Sequence, residues 1–66
     1  MKNNIRVERA ILNLTQEELA NRISVSRQTI NAMEANKYVP STVLALKIGR
    51  VFGKPVEQIF FLDESD

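Results

Sequence analysis

The 66-residue chain has no cysteine, no histidine and no tryptophan. Without cysteine it forms no disulfide and no thiolate metal site, and it suits a reducing compartment. Without histidine it lacks the commonest general base and the commonest metal ligand. Its two glycines, Gly49 and Gly53, form no phosphate-cradling loop. An enzyme is therefore not expected, and neither is a cofactor, a metal ion or a small-molecule ligand. No apolar run approaches the ~18 residues of a membrane span. The opening residues MKNNIRVERA are polar where a secretory signal needs an apolar core. These absences predict a soluble, unprocessed, cytoplasmic protein that does not associate with membranes.

A chain this short is one domain, 1–66, able to bury only ~60% of the surface its unfolded form exposes. Lacking staples, it must rely on efficient helix packing or on a partner subunit. The formal charge is only +1, but it is unevenly placed. Asp63, Glu64 and Asp66 form an acidic tail, 63–66, and residues 1–62 carry nine bases and five acids, a net +4. A modestly basic body fits a polyanionic partner.

The punctuation is helical. Ile5 and Leu12 lie seven apart and Val7 and Ile11 four apart, which predicts a first helix from about Asn4 to Leu12. Asn13 sits where a chain leaving a helix turns through the left-handed region. Thr15 and Glu18 have the spacing of a capping box and open a second helix, Gln16 to about Arg22. Ser26 is a good N-cap for a third, running to about Ala35, and Asn36 ends it as Asn13 ends the first. After the loop Lys37-Tyr38-Val39-Pro40, Ser41 caps a fourth helix that stops at Gly53. Pro55 suits the start of a short fifth helix over Val56 to Ile59 or Phe60. The expected fold is all-α with five helices. Its predicted core is Ile5, Leu12, Leu14, Leu19, Ile23, Val25, Ile30, Met33, Val43, Leu46, Ile48, Phe52, Ile59 and Phe60.

Residues 16–35 fit a helix-turn-helix unit: two short helices joined by a tight turn. Leu19, Ile23, Val25, Ile30 and Met33 supply its apolar contacts, and Ala20 is small where the helices cross. LTQEELANRISVSRQTINAMEANKYVPS resembles the Cro and lambda-repressor type of regulators, the xenobiotic-response-element family. The likeness continues through ALKIGRVFGKPVEQIF, and the KYVPS and ALKI segments look most like the small cytolysin-repressor type. There are departures. Ser24 stands where the family usually has glycine, which requires strain or a different turn. Gly49 stands mid-helix in place of the usual alanine, at about 1 kcal/mol in propensity, and points to a close helix contact.

The resemblance implies a DNA-binding transcriptional regulator, most plainly a repressor, with its third helix in the major groove. Because Ile30 and Met33 turn to the core, Ser26, Arg27, Gln28, Asn31 and Ala32 face outward. Arginine can donate two hydrogen bonds to guanine O6 and N7, and glutamine can bridge adenine N6 and N7. The family places Arg27, Gln28 and Ala32 opposite bases. Asn31 is counted with them at the groove edge, and Thr29 lies nearer the phosphates. Gln16 and Ser26, at helix starts, suit backbone phosphates. Asn36, Lys37, Tyr38, Ser41 and Thr42 surround a loop that tracks the DNA backbone in related regulators. The family also pairs an arginine of the first helix with a glutamate ending the third, which implies a partly buried Arg9–Glu34 ion pair.

One module buries too little DNA for tight specific binding, so a homodimer on an inverted repeat is expected. The run Ile59-Phe60-Phe61-Leu62 is more than one face of a short helix can bury. The expected division sends Ile59 and Phe60 inward and Phe61 and Leu62 toward a second copy. The candidate seam is Val39, Ile59, Phe61 and Leu62. As an alternative to the fifth helix's continuation, QIFFLDE extends as a strand pairing with Met1 to Asn3, which the cytolysin-repressor likeness implies. A rival reading makes the chain an antitoxin-like subunit whose C-terminal apolar segment binds a partner protein.

Overall fold

A computed structural model describes all residues, 1–66. A short strand β1 (Lys2–Asn3) is followed by four α-helices: α1 (Ile5–Leu12), α2 (Gln16–Arg22), α3 (Arg27–Glu34) and α4 (Thr42–Phe52). A single 3-10 turn (Val56–Gln58) leads to β2 (Phe60–Phe61), which closes the fold. β1 and β2 pair antiparallel, Lys2 opposite Phe61 and Asn3 opposite Phe60. The two ends of the chain are thus joined in a two-stranded sheet. The fifth helix expected from the sequence is absent. Between Pro55 and the strand there is room for only one tight turn, closed when the Ile59 amide donates to the Val56 carbonyl at 2.9 Å.

Side-chain caps start three of the helices. Thr15 Oγ1 accepts from the Glu18 amide at 3.0 Å, and Glu18 Oε1 accepts from the Thr15 amide at 2.9 Å. Ser26 Oγ and Ser41 Oγ each accept from the amide three residues on, at 3.2 Å. Four residues have left-handed backbone: Asn13 (φ 55°), Ser24 (φ 59°), Asn36 (φ 60°) and Gly53 (φ 66°). Ser24 therefore takes the strained route at the helix-turn-helix turn.

The core gathers residues from every helix. Ile5, Leu19, Ile23, Ile30, Met33, Ile48 and Ile59 are fully enclosed, with Leu14, Ala20, Leu44, Phe52 and Phe60 around them. Three expected core residues lie outside: Leu12, Val43 and Leu46 are 45%, 65% and 59% exposed. α1 ends at Leu12, the chain reverses at Asn13, and Leu14 takes the inward place instead. On α4 the inward stripe is Leu44, Ile48 and Phe52, four apart, which turns Val43 and Leu46 to the surface. Val25 is only half-buried.

A buried charge joins the two ends of the helical body. Glu8 is 6% exposed, and its Oε2 accepts from Lys54 Nζ at 2.8 Å. Close by, α4 approaches the 3-10 turn at Gly49. A Cβ there would lie 2.9 Å from the Lys54 carbonyl oxygen. Gly49→Ala is expected to lower the melting temperature, although alanine gains about 1 kcal/mol in helix propensity. A thermal melt checks this; a variant more stable than wild type contradicts the close approach.

Candidate nucleic-acid interface

α2 and α3 pack more extensively on each other than any other pair of elements. Leu19 and Ala20 of α2, Ile23 at its end, and Ile30 and Met33 of α3 belong to one core cluster, and all five are buried. Burying Ile30 and Met33 fixes the rotation of α3. Arg27, Gln28 and Asn31 are consequently exposed on its other side, while Ala32 and Thr29 are half-buried. Ser26 Oγ lies 3.0 Å from Thr29 Oγ1 as well as capping the helix, so both hydroxyls are engaged within the first turn.

The far end of α3 is held by a carboxylate. Arg9 Nε and Nη2 donate to Glu34 Oε2 and Oε1 at 2.7 and 3.1 Å. Arg9 Nη1 also donates to the Leu14 carbonyl at 2.9 Å, tying the same guanidinium to the α1–α2 turn. Gln16 Nε2 donates to Glu34 Oε1 at 3.1 Å and to Asn31 Oδ1 at 3.4 Å. One carboxylate thus connects α1, the start of α2 and the end of α3. Burial pushes the Glu34 carboxyl up, but hydrogen bonds from Arg9 and Gln16, with the charges of Arg9 and Arg6, outweigh it. The net result holds Glu34 below the ordinary carboxylate value. The hydrogen bonds that Arg9 donates to Glu34 in turn raise the Arg9 pKa, against its own partial burial.

Two further residues reach this region without any local sequence signal. Asn3 Nδ2 donates to the Met33 carbonyl at 2.8 Å and to Asn36 Oδ1 at 3.4 Å, so β1 touches the end of α3. Arg6 Nε stands 3.8 Å from Glu34 Oε1. Both contacts span more than 25 positions, which no helix or turn pattern reports.

The remaining candidates fall in two places. Asn36, Lys37, Tyr38, Ser41 and Thr42 are exposed along the α3–α4 connection. Val39 is 63% exposed and lines an apolar groove of about 360 Å³ with Met1, Pro40, Ala45, Leu46 and Phe60. Phe61 and Leu62, 39% and 80% exposed, follow directly after Phe60. The sequence puts Ile59 both in the core and at this seam; it is fully buried and belongs to the core alone. Its carbonyl accepts from the Asn4 amide at 2.8 Å, which draws the residue inward beside β1.

The helix-turn-helix family profile matches residues 5–59. The chain is 50% identical, over the full length of both, to an uncharacterised HTH-type transcriptional regulator of Methanocaldococcus jannaschii. It is 50% identical to one of Archaeoglobus fulgidus, covering all of this chain and 93% of the relative. A Bacillus subtilis regulator of the same description is 42% identical over the full length of both.

Removing one partner of the Arg9–Glu34 pair leaves the other poorly compensated. Glu34→Ala is expected to destabilise the fold by about 2–3 kcal/mol, just under the usual range for a buried pair because Arg9 keeps some solvent. Sequence choice on DNA should stay as in wild type. Wild-type melting combined with altered choice contradicts this role. The pair also sets a pH dependence. The folded pKa of Glu34 is depressed, so its stabilisation is complete above the unfolded value of about 4.3. It is lost as pH falls through the lower folded value. Melting temperature should drop below about pH 4, and less steeply in Glu34→Gln; equal slopes for the two proteins contradict the assignment.

Proposed function

The chain belongs to the helix-turn-helix family of DNA-binding transcriptional regulators, and from that premise we propose that it is a repressor that reads an inverted-repeat operator as a homodimer. The observation that carries the base-reading part is the rotation of α3. Ile30 and Met33 are buried while Arg27, Gln28 and Asn31 are exposed on the side away from them. The major groove admits one helix and is read from the helix's N-terminal residues. Arg27 is assigned to guanine, Gln28 to adenine, Asn31 to the groove edge and Ala32 to a thymine methyl. Gln16, Ser26, Thr29, Asn36, Lys37, Tyr38, Ser41 and Thr42 are assigned to the DNA backbone. The amides of Arg27 and Gln28 at the start of α3 support this for Ser26, since only the Thr29 amide is taken up by the cap. Gln16 already gives its amide hydrogens to Glu34 and Asn31, so its role is to place Asn31 as much as to meet a phosphate.

The homodimer rests on the apolar groove and the exposed apolar residues beside it. Val39 and Leu46 line the groove and Phe61 and Leu62 follow Phe60 beside it, all four exposed, and clustered exposed apolar side chains mark interaction surfaces. A second copy on this face would set two recognition helices on half-sites about one turn apart. Such a dimer covers the DNA between its half-sites, and steric occlusion of that stretch is enough to repress. The pairing of β1 with β2 supports a likeness to the cytolysin-repressor type. DNA as partner puts the protein's place of work in the cytoplasm.

A duplex selected from a random pool at stated salt serves as the test ligand. The double variant Arg27→Ala, Gln28→Ala should lose about 100-fold or more in affinity for it, from 1–3 kcal/mol per base contact. Its melting temperature should hardly change. Undiminished affinity overturns the base-reading assignment. Light scattering at micromolar concentration should report twice the chain mass, and a strict monomer overturns the homodimer.

A further inference from the structure

The cluster around Glu34 holds one more positive charge than it uses. Arg9 gives Glu34 two hydrogen bonds and Gln16 gives a third, at 2.7, 3.1 and 3.1 Å. These satisfy most of what a carboxylate can accept. Arg6 approaches the same group but stops at 3.8 Å, beyond hydrogen-bond distance. Its side chain is 82% exposed, whereas those of Arg9 and Glu34 are 15% and 5%. Arg9 already neutralises Glu34, so the charge on Arg6 is surplus, and its guanidinium makes no hydrogen bond within the chain.

The position of that surplus charge is informative. Glu34 Oε1, which Arg6 faces, also binds Gln16 Nε2, and Gln16 Nε2 reaches Asn31 Oδ1 on the exposed side of α3. Arg6 therefore sits one carboxylate and one amide away from the outward face of the recognition helix. A helix in the major groove is flanked by phosphate walls, since the groove is about 12 Å wide. A long, free cation on α1, the helix joined to the end of α3 through Arg9 and Glu34, reaches such a wall rather than the bases.

We propose that Arg6 binds a DNA backbone phosphate at the edge of the recognition helix, an inference that rests on the DNA-binding reading above. It adds α1 to the contact surface and sets the register of α3 in the groove. Its neighbour Arg9, bound to Glu34 and Leu14, is not free to do the same.

Fluorescence anisotropy with the selected duplex and a shuffled duplex, over a salt series, tests this. Arg6→Gln should weaken both duplexes alike, by about tenfold for a charge-assisted contact. The slope of log affinity on log salt should become shallower by about 0.9, one phosphate's share. Arg6→Lys should restore the slope, because a point charge still neutralises a phosphate. Arg6→Gln should melt within about 3 °C of wild type, as a surface substitution does. Wild-type affinity and slope in Arg6→Gln overturn the proposal while leaving the DNA-binding reading intact. A loss confined to the selected duplex also overturns it, since that marks a base contact. Wild-type protein that binds neither duplex overturns both.

Discussion

The placement of α3 depends on a single carboxylate. Glu34 closes α3, and through it Arg9 of α1 and Gln16 of α2 are fixed to the same point. A helix of eight residues does not hold its own orientation in water. Apolar contacts at Ile30 and Met33 settle which side of α3 faces inward, but they act nondirectionally. The bidentate Arg9–Glu34 contact adds direction, because a guanidinium and a carboxylate meet in one plane. The same network reaches one exposed side chain of α3, Asn31, through Gln16 Nε2 at 3.4 Å.

Around that anchor the turns are set by backbone conformation. Asn13, Ser24 and Asn36 all adopt left-handed backbone, each at the exit from a helix or within the turn after it. Asparagine tolerates this region, and serine does so at some cost. Ser24 is held there because Ile23 on one side is buried and Val25 on the other donates its amide to the Ala20 carbonyl at 3.0 Å. The sheet joining the chain ends adds a second restraint. Asn3 lies in β1, opposite Phe60 of β2, and also bonds the end of α3. The region with the apolar groove and the region with α3 therefore share one strand. A change at the groove has a direct structural route to α3.

Much of this was legible because capping is local. Thr15 with Glu18, Ser26 and Ser41 mark three helix starts by side chains that satisfy amides only three residues away. The exposure of Arg27 and Gln28 followed from the spacing of Ile30 and Met33. The division that sends Ile59 and Phe60 inward and leaves Phe61 and Leu62 outside is also what the structure has. What the sequence hid is nonlocal or depends on rotation. Val43 and Leu46 are as apolar as Leu44 and Ile48, and only the packing of α4 decides which pair is inside. Glu8 reads as an ordinary surface acid until Lys54 is brought to it from 46 positions away. The fifth helix failed because β2 claims Phe60 for the sheet. Asn3 and Arg6 carry no motif, and their nearness to α3 appears only in three dimensions.

The central claim is that α3, so held, presents Arg27 and Gln28 to base edges in the major groove. Dimethyl sulfate probing of the complex with its selected duplex tests it most directly. The reagent methylates guanine N7, which lies in the major groove, and adenine N3, which lies in the minor groove. The account predicts protection of guanine N7 in two clusters about 10 base pairs apart, centre to centre. Protection confined to adenine N3, with guanine N7 as reactive as in free DNA, would contradict it.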